Sequence, residues 1–464
     1  MSAPNGPRVL LLGCYELGHP PLGLAWPLAA LREAGLDAHA VDLAVQPFPA
    51  ADAAAASLVL VSVPMHTALR LGVKAAARVR DLNPRAHVAF YGHYAWLNAQ
   101  HLLAAHGDSV VAGEVEPVLV ALARAILAGR EPAEVPDVSV RGRLRRPHLN
   151  RVPLPVPDHS DELPLPRYAG YIQAGRRVSA GYVEASRGCK HLCRHCPVVP
   201  VYRGRFFAVP VATVLADAGG QVAAGAHHLT FGDPDFLNGP THALRVARAL
   251  HGEHPDLTFD FTAKVEHLLR HRSLLPELAA LGCSFVVSAV ESLSDRVLAR
   301  LRKGHTAADV AEVLDVFDQA GVALQPTLVA FTPWTTLDDY LAQLEFFRTR
   351  GLVRRVPPVQ LSIRLLVPPG SALLEEPDAA EWLGELDPEN FVHRWRHPDP
   401  RMDALYEHVA ARVEEGESAD QPAEETWEAV RALAFAAAGR PLPDEAMPPA
   451  FRPEPPRLTE HWFC

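Results

Sequence analysis

Residues 189–196 read Cys189-Lys-His-Leu-Cys193-Arg-His-Cys196 and hold three of the six cysteines of this 464-residue chain. At this cysteine frequency, such a C-x3-C-x2-C spacing is expected by chance on the order of 0.001 times. A [4Fe–4S] cluster normally takes four cysteines, so three leave one iron open, which is typical of a catalytic metal site. A zinc ion completed by His191 or His195 is the alternative, although three ligands so close together crowd one tetrahedral ion.

The cysteine stretch directly follows a predicted strand, the first of a series in which short apolar runs alternate with helical periodicity. Six such steps, from Gly181 to about Leu374, predict a barrel or partial barrel with its chemistry at the carboxyl ends of the strands. The predicted strands are Gly181–Ala185, His228–Phe231, Thr258–Thr262, Phe285–Ala289, Ala323–Ala330 and Val359–Leu366.

A second alternating region precedes the first and covers residues 8–129. Its pattern predicts an α/β, Rossmann-like domain with a parallel sheet covered on both faces. Ligands of such sheets bind at the carboxyl ends of the strands, where Tyr15, His66, His93 and Glu114 fall. No G-x-G-x-x-G follows the first strand, so the pattern does not favour a dinucleotide.

The length predicts roughly three domains at about 150 residues each. Residues 1–135 form the first domain, and residues 136–180 form a linker rich in proline and charge. The barrel occupies residues 181–376. Residues 377–464 form a helical C-terminal region, with helices at Met402–Glu415 and Glu424–Ala438 and a proline-rich tail that ends in cysteine.

The charge and the apolar patterning exclude several kinds of partner. The formal net charge is −10 and the pI is about 6.1, which makes nucleic acid an unfavoured partner. The basic stretch Arg141–Arg151 lacks interleaved aromatic residues and is interpreted as a solvated linker. No apolar run reaches the ~18 residues that span a bilayer, and no leader pattern opens the chain. With few, unevenly placed cysteines, these features predict a cytoplasmic protein without membrane contact.

The cysteine spacing after the first barrel strand resembles that of radical S-adenosylmethionine (SAM) enzymes. In that family, the residue before the third cysteine lies near the adenine, and a Gly-Gly-Glu-Pro motif after the second strand binds the SAM amino group. Phe231-Gly-Asp-Pro-Asp235 stands at that place, with Asp233 where the family has Glu. The SAM-contacting residues that the resemblance implies are His195, Gly232, Asp233, Asp235, Glu291, Ser292 and Lys303.

The resemblance implies a mechanism and partners. SAM binds the open iron, and the reduced cluster cleaves it to a 5′-deoxyadenosyl radical that abstracts hydrogen from a substrate. The partners are a flavodoxin- or ferredoxin-type electron donor and a small-molecule or peptide substrate. Two alternatives remain. Asp233 and Asp235 only cap the following helix in the first. In the second, the chain is a noncatalytic iron–sulfur redox protein.

The first domain resembles the cobalamin-binding-like domain that precedes the barrel in class B radical SAM proteins. The resemblance rests on Pro20-Pro-Leu-Gly-Leu24, Tyr91-Gly-His93 and Val111-Ala-Gly-Glu-Val-Glu-Pro117. The D-x-H-x-x-G motif that supplies an axial histidine is absent. Cobalamin therefore either binds without a histidine ligand, facing Tyr15, His66, His93 and Glu114, or does not bind. Cobalamin-dependent methyl transfer is the second candidate reaction.

The end of the chain, Arg457-Leu-Thr-Glu-His-Trp-Phe-Cys464, resembles the tail of the CUAEP/CCAEP radical SAM (seleno)protein family, as does Leu361–Leu374. In that family, a cysteine is followed by selenocysteine or cysteine and then Ala-Glu-Pro. Because selenocysteine is encoded by a stop codon, we expect the natural chain to continue as selenocysteine-Ala-Glu-Pro, with Cys464 catalytic. An ordinary terminal cysteine is the alternative.

Overall fold

The structure is a computed structural model that describes residues 8–444 and 455–459. Two large sheets form its framework, each with helices between successive strands. In chain order the strands are β1 (Val9–Gly13), β2 (Ala38–Asp42), β3 (Leu58–Ser62), β4 (His87–Tyr91), β5 (Ser109–Val111), β6 (Ser139–Val140), β7 (Gly170–Gln173), β8 (Arg176–Val183), β9 (Ser186–Gly188), β10 (Phe206–Ala208), β11 (His228–Phe231), β12 (Thr258–Thr262), β13 (Cys283–Glu291), β14 (Ala323–Leu328), β15 (Leu383–Asp387), β16 (Val392–Trp395) and β17 (Arg457–Leu458).

The helices fall mostly between these strands, as the alternating sequence pattern predicts. In chain order they are α1 (Leu22–Glu33), α2 (Ala50–Ala55), α3 (His66–Leu82), α4 (His93–Leu97), α5 (Ala99–Ala105), α6 (Glu116–Leu127), α7 (Val198–Tyr202), α8 (Val211–Ala223), α9 (Pro240–Glu253), α10 (Val265–Arg270), α11 (Leu275–Ala280), α12 (Asp295–Arg300), α13 (Ala307–Ala320), α14 (Leu337–Thr349), α15 (Ala379–Trp382), α16 (Pro400–Ser418) and α17 (Ala423–Ala437).

The first sheet has the order β2-β1-β3-β4-β5-β6. Strands β1 to β5 are parallel, and β6 pairs antiparallel with β5. All five residues of β1 and of β3 are buried, because separate apolar clusters cover the two faces of the sheet. The predicted parallel-sheet domain is confirmed.

The second sheet has the order β14-β13-β12-β11-β8-β7-β17 and is the half-barrel. Strands β8 and β11 to β14 are parallel. Strand β7 is antiparallel to β8, and β17 is antiparallel to β7, so β17 runs in the same direction as β8. Residues 136–180, predicted as a linker, thus supply β6, β7 and the start of β8.

The predicted sixth barrel strand, Val359–Leu366, does not form. A 3-10 helix occupies Pro358–Leu361, and only an isolated bridge between Phe331 and Arg364 follows. The adjacent prolines at 357 and 358 fix the backbone and lack N–H donors, which disfavours a ladder strand. The buried Gln360 side chain instead accepts a hydrogen bond from Leu328 N at 2.8 Å, at the end of β14.

The C-terminal region contains the predicted helices as α16 and α17, and also the hairpin β15–β16. The hairpin turn reaches the first domain, where Phe391 packs in its core against His101 and His106. His66 Nε2 lies 2.7 Å from the Asn390 carbonyl oxygen. Across residues 8–444 and 455–459, every helix is too short or too polar to cross a bilayer.

Candidate functional site

The three cysteines lie on a loop between β9 and β10, which pair antiparallel below it. Cys189 and Cys193 are buried, and Cys196 is half-buried. The buried Asn238 holds the start of this loop, since its Oδ1 accepts a hydrogen bond from Lys190 N at 3.1 Å and lies 3.7 Å from Cys189 Sγ. The loop is therefore anchored at the carboxyl end of the half-barrel sheet.

The spacing of the thiols fits a cluster better than a single ion. Thiolates on one Zn²⁺ at about 2.3 Å lie roughly 3.8 Å apart. Among the described residues, the only group of three metal-ligating side chains with donor atoms within 4.8 Å of one another excludes all three cysteines. A [4Fe–4S] cluster takes each thiolate on a different iron and needs the wider spacing.

Burial raises the pKa of the Cys196 thiol to about 12, and burial also raises the pKa of Cys189. Without a metal these groups therefore remain protonated at neutral pH. Metal ligation requires thiolates, so cluster assembly releases protons from this loop. The Lys303 ammonium lies near Cys193 and Cys196, and its charge lowers the pKa of the Cys196 thiol in opposition to burial.

Glu291, Lys303 and His195 form a buried group beside the cysteine loop. Glu291 Oε1 lies 3.1 Å from both Lys303 Nζ and His195 Nε2. Burial alone raises the pKa of Glu291, but the Lys303 ammonium and His195 hold it well below its usual range. Glu291 has a φ of +67°, a strained conformation for a residue with a side chain. The structure thus brings together three residues that are far apart in sequence.

Two buried nitrogens in this region have no partner within the described part of the chain, namely His195 Nδ1 and His305 Nδ1. A buried nitrogen without a partner costs stability unless a ligand or water satisfies it. These atoms are accordingly suited to contact a polar ligand such as SAM.

The aspartates after β11 are turned toward protein groups. Asp233 accepts hydrogen bonds from Ala185 N at 2.8 Å and Ser186 Oγ at 2.5 Å, and burial raises its pKa to about 7. Asp235 caps the following 3-10 turn through Leu237 N at 2.9 Å. The capping alternative therefore describes Asp235, whereas Asp233 binds back to the segment after β8.

The other two predicted SAM contacts are Gly232 and Ser292. A Cβ at position 232 would lie 2.6 Å from the Tyr182 hydroxyl oxygen, so only glycine allows this close approach. Ser292 is buried, and its Oγ accepts a hydrogen bond from Ser294 N at 3.1 Å. Both residues directly follow the carboxyl ends of strands, Gly232 after β11 and Ser292 after β13.

The residues predicted to face cobalamin lie at the strand ends of the first sheet, but most are engaged by protein groups. Tyr15 and His66 are buried, and His66 binds the C-terminal hairpin. His93 is half-buried against the Tyr202 ring, with centroids 5.8 Å apart, and burial lowers its pKa to about 4. Glu114 accepts a hydrogen bond from the Tyr202 hydroxyl at 2.8 Å.

Arg187, two residues before the first cysteine, joins the two sheets through a buried ion cluster that sequence reasoning missed. Its Nη1 lies 2.7 Å from Glu116 Oε1 and 3.4 Å from Glu114 Oε2, and its Nε lies 2.8 Å from Glu184 Oε2. Its guanidinium carbon lies 4.8 Å from the Trp26 ring centroid. The available signal in the sequence was the position of Arg187, a basic residue between the predicted buried strand Gly181–Ala185 and the cysteine loop.

The carboxyl group of Glu16, just after β1, makes the stability of the folded protein depend on pH. Burial raises the pKa of Glu16 to about 8, despite a 3.0 Å hydrogen bond from Gly23 N. The folded protein then binds the proton more tightly than the unfolded chain. The contribution of Glu16 to stability is complete below pH ~4.5 and is lost as the pH rises to about 8.

We expect Glu16→Gln to reduce the loss of stability between pH 5 and pH 9, because glutamine does not ionise. Urea unfolding midpoints of the cluster-loaded protein at the two pH values measure this. Glu33→Gln, at an exposed position of α1, is the control and should follow the original chain. Equal pH dependence in Glu16→Gln and the original chain would contradict the assignment.

Comparison with known proteins identifies the class. Residues 183–336 match the radical SAM superfamily, and residues 8–123 match the B12 binding domain. The chain thus carries a B12-binding domain followed by a radical SAM domain, the class B arrangement. These domains imply a [4Fe–4S] cluster and SAM as cofactors, and they support cobalamin as a further one.

The particular relatives are similar over only part of the chain. The ribosomal protein uS12 methylthiotransferase RimO of Desulfosudis oleivorans is 30% identical over 217 residues, 43% of this chain and 46% of that protein. The chain therefore spans less than half of the length of this curated relative.

Two solved structures share the fold. The cobalamin-dependent SAM radical enzyme OxsB has a TM-score of 0.69 at 15% identity, over 89% of this chain and 67% of OxsB. The radical SAM methyltransferase TsrM from Kitasatospora setae has a TM-score of 0.59 at 19% identity, over 74% of this chain and 71% of TsrM. At these identities, the likeness concerns the fold.

Proposed function

We propose that this enzyme cleaves SAM reductively and abstracts hydrogen from an organic or peptide substrate. The observation that carries the proposal is the position of three thiols on one loop beside the Glu291–Lys303–His195 group at one end of the half-barrel. When bound, a reduced [4Fe–4S] cluster supplies the electron that breaks the sulfonium of SAM, giving methionine and a 5′-deoxyadenosyl radical. Cys189, Cys193 and Cys196 would hold the cluster.

The residues of the chain bind and orient SAM. Glu291 is ionised and fixed by Lys303, so its carboxylate is able to accept hydrogen bonds from ribose hydroxyls. Lys303 carries a positive charge that attracts the SAM carboxylate. His195 and His305 supply buried nitrogens for polar groups of the adenosine. Asp233, Asp235, Gly232 and Ser292 complete the proposed site at the strand ends.

Asp233 is a candidate partner of the SAM ammonium group. Its pKa of about 7 leaves it partly protonated near neutral pH. An ammonium group within hydrogen-bond distance would lower that pKa and favour the carboxylate. Ser186 Oγ and Ala185 N hold the carboxyl group at the end of β8, close to the cysteine loop.

Cobalamin-dependent methyl transfer is the second candidate, favoured by the B12-binding match over residues 8–123. The strand ends bearing Tyr15, His66, His93 and Glu114 are the proposed cobalamin face, without an axial histidine from a D-x-H-x-x-G motif. The buried Arg187 cluster joins that domain to the strand before the cysteine loop, which supports adjoining positions for the two proposed cofactor sites.

The product of SAM distinguishes these functions. We expect the cluster-loaded protein, reduced by dithionite without oxygen, to form 5′-deoxyadenosine and methionine, which chromatography with mass detection measures. Addition of hydroxocobalamin, followed by gel filtration, tests corrinoid retention. S-adenosylhomocysteine formed only by the corrinoid-loaded protein would favour methyl transfer. If protein with four irons per chain forms neither 5′-deoxyadenosine nor S-adenosylhomocysteine, the result favours the noncatalytic redox function.

The C-terminal tail is proposed to act in the same site, although Cys464 lies outside the described residues. Strand β17 runs in the direction of β8, and Thr459 pairs with Gly170, which pairs with Ser179. The carboxyl end of β8 lies four residues beyond Ser179, about 13 Å at ~3.3 Å per residue. Cys464 is the fifth residue after Thr459, and five residues in extended conformation span roughly 17 Å.

Cys464 as a catalytic thiol, and membership in the CUAEP/CCAEP-tail family, are proposed on the resemblance of residues 457–464 and 361–374 to that family. Unchanged turnover of the natural substrate by Cys464→Ser would exclude a role for the thiol. In the gene, TGA followed by codons for Ala, Glu and Pro supports the selenocysteine continuation, whereas TAA or TAG excludes it. A cytoplasmic location and a flavodoxin- or ferredoxin-type reductant are part of the same proposal.

A further inference from the structure

Three metal-ligating side chains from different elements meet beside the cysteine loop. His191 comes from the loop itself, Asp235 from the segment after β11, and His267 from α10. Asp235 and His267 are buried, and His191 is half-buried. Asp235 Oδ2 lies 3.0 Å from His267 Nδ1 and 3.7 Å from His191 Nε2, and these two nitrogens lie 3.4 Å apart.

These distances match the coordination geometry of one ion. Zn²⁺ binds imidazole nitrogen and carboxylate oxygen at about 2.0–2.1 Å, so a tetrahedral site separates its donor atoms by roughly 3.3–3.4 Å. The three measured separations average about 3.4 Å. One face of an octahedron with ligands at ~2.1 Å has donor separations of about 3.0 Å. The separations of these three donor atoms therefore favour tetrahedral Zn²⁺.

The surroundings fix the carboxylate of this group. Carboxylates that bind metals are themselves usually hydrogen-bonded. Glu266 Oε2 lies 3.7 Å from His191 Nδ1, beyond hydrogen-bond distance. Asp235 accepts hydrogen bonds from Leu237 N at 2.9 Å and Lys264 N at 3.2 Å, which fix the carboxylate.

We propose that His191, Asp235 and His267 bind a Zn²⁺ ion whose fourth position is open to water. This site uses none of the three cysteines and differs from a zinc ion on the cysteine loop. Because its ligands come from the loop, the end of β11 and α10, the ion would fix the cysteine loop to the half-barrel. It does not depend on SAM cleavage or on cobalamin. Asp235 would then bind the ion at the edge of the proposed SAM site, and Asp233 remains the candidate partner of the SAM ammonium group.

A chain of hydrogen bonds from Asp235 through His267 to His191 is the competing explanation. His267 Nε2 also lies 3.1 Å from His191 Nε2, so two neutral rings are able to share a proton without any metal. The two explanations differ in metal content and in the atoms around the metal. Both are measurable without any assay of activity.

The test uses tag-free, cluster-loaded protein incubated with Zn²⁺ and then desalted over a chelating resin, all without oxygen. We expect four irons and one zinc per chain by mass spectrometry. X-ray absorption at the zinc edge should show nitrogen and oxygen neighbours near 2.0 Å and none of the sulfur near 2.3 Å that cysteine ligation gives. Sulfur neighbours, or less than about 0.1 zinc per chain alongside four irons, would overturn the proposal.

Variants locate the ion. His191→Gln and His267→Gln should each lower zinc retention at least tenfold while iron stays near four per chain. His271→Gln, one helical turn beyond His267 with ring centroids 5.8 Å apart, is the control and should keep the zinc. Full zinc retention by both ligand variants would contradict the site. Because the absorption measurement uses the unaltered chain, a variant that fails to fold does not leave the proposal untested.

Discussion

Cys193→Ala should abolish SAM cleavage, with a loss of the 5′-deoxyadenosine rate on the order of 10³-fold or more. One thiolate fewer leaves two protein ligands for a cluster that normally takes four. Without a stable cluster no electron reaches the sulfonium of SAM. Each tenfold loss of rate corresponds to a rise of about 1.4 kcal/mol in the activation free energy of SAM cleavage. Iron and sulfide analysis after anaerobic reconstitution should show less than about one iron per chain, against four in the original chain.

Cys283→Ala is the matched control for this prediction. Cys283 is as buried as Cys193, but it starts β13 and packs in the half-barrel core. Its replacement should keep the full iron content and cost only the stability of a small core truncation, about 1 kcal/mol. A Cys189, Cys193 and Cys196 triple alanine variant that retained a complete cluster would exclude these residues as the ligands.

Arg187→Met should lower the free energy of unfolding by about 3–5 kcal/mol, the range measured when one partner of a buried ion pair is removed. Arg187 is the cation that lies within ion-pair distance of Glu114, Glu116 and Glu184. Burial and their mutual repulsion raise the pKa values of Glu114 and Glu184, the latter to about 7 even with Arg187 present. Removing the cation raises these pKa values further, so the loss should be larger at pH 8 than at pH 6.

Urea unfolding of the cluster-loaded protein at both pH values measures this effect. Arg176→Met, on the exposed start of β8, is the control and should stay within about 0.5 kcal/mol of the original chain. Adding Glu116→Gln and Glu184→Gln to Arg187→Met should restore part of the stability, because the buried charges are then removed together. A loss at Arg187 no larger than at Arg176 would show that the ion cluster contributes little.

The sequence was sufficient where the signal is local. The C-x3-C-x2-C spacing and the alternation of apolar runs with helical periodicity both lie within short windows, and the alternation predicted the parallel strands of both sheets. Strands β6, β7 and β17 were not predicted, because they lie in segments rich in proline and charge. The sixth barrel strand was mispredicted because Val359–Leu366 alternates apolar residues with Gln360, Ser362 and Arg364, the pattern of a half-buried strand, while Pro357 and Pro358 decide its backbone. Alternation alone does not distinguish a ladder strand from a packed turn.

The missed parts of the site depend on long-range contacts. His267 lies 76 positions from His191 along the chain, and Arg187 lies 71 positions from Glu116. A short stretch of sequence contains no information about contacts between residues so far apart. At Asp235, the sequence indicated only that an acidic residue follows a predicted strand. Glu114 was placed toward a ligand because it follows β5, but the Tyr202 hydroxyl binds it across the two domains.

The hairpin residue Phe391 links the core of the first domain to a late stage of synthesis. The first sheet is complete at Val140, yet its core includes a ring that the ribosome adds about 250 residues later. At roughly 5–20 residues per second, the Phe391 side chain follows the sheet by about 12–50 s. During that interval the core beside His101 and His106 lacks the Phe391 ring.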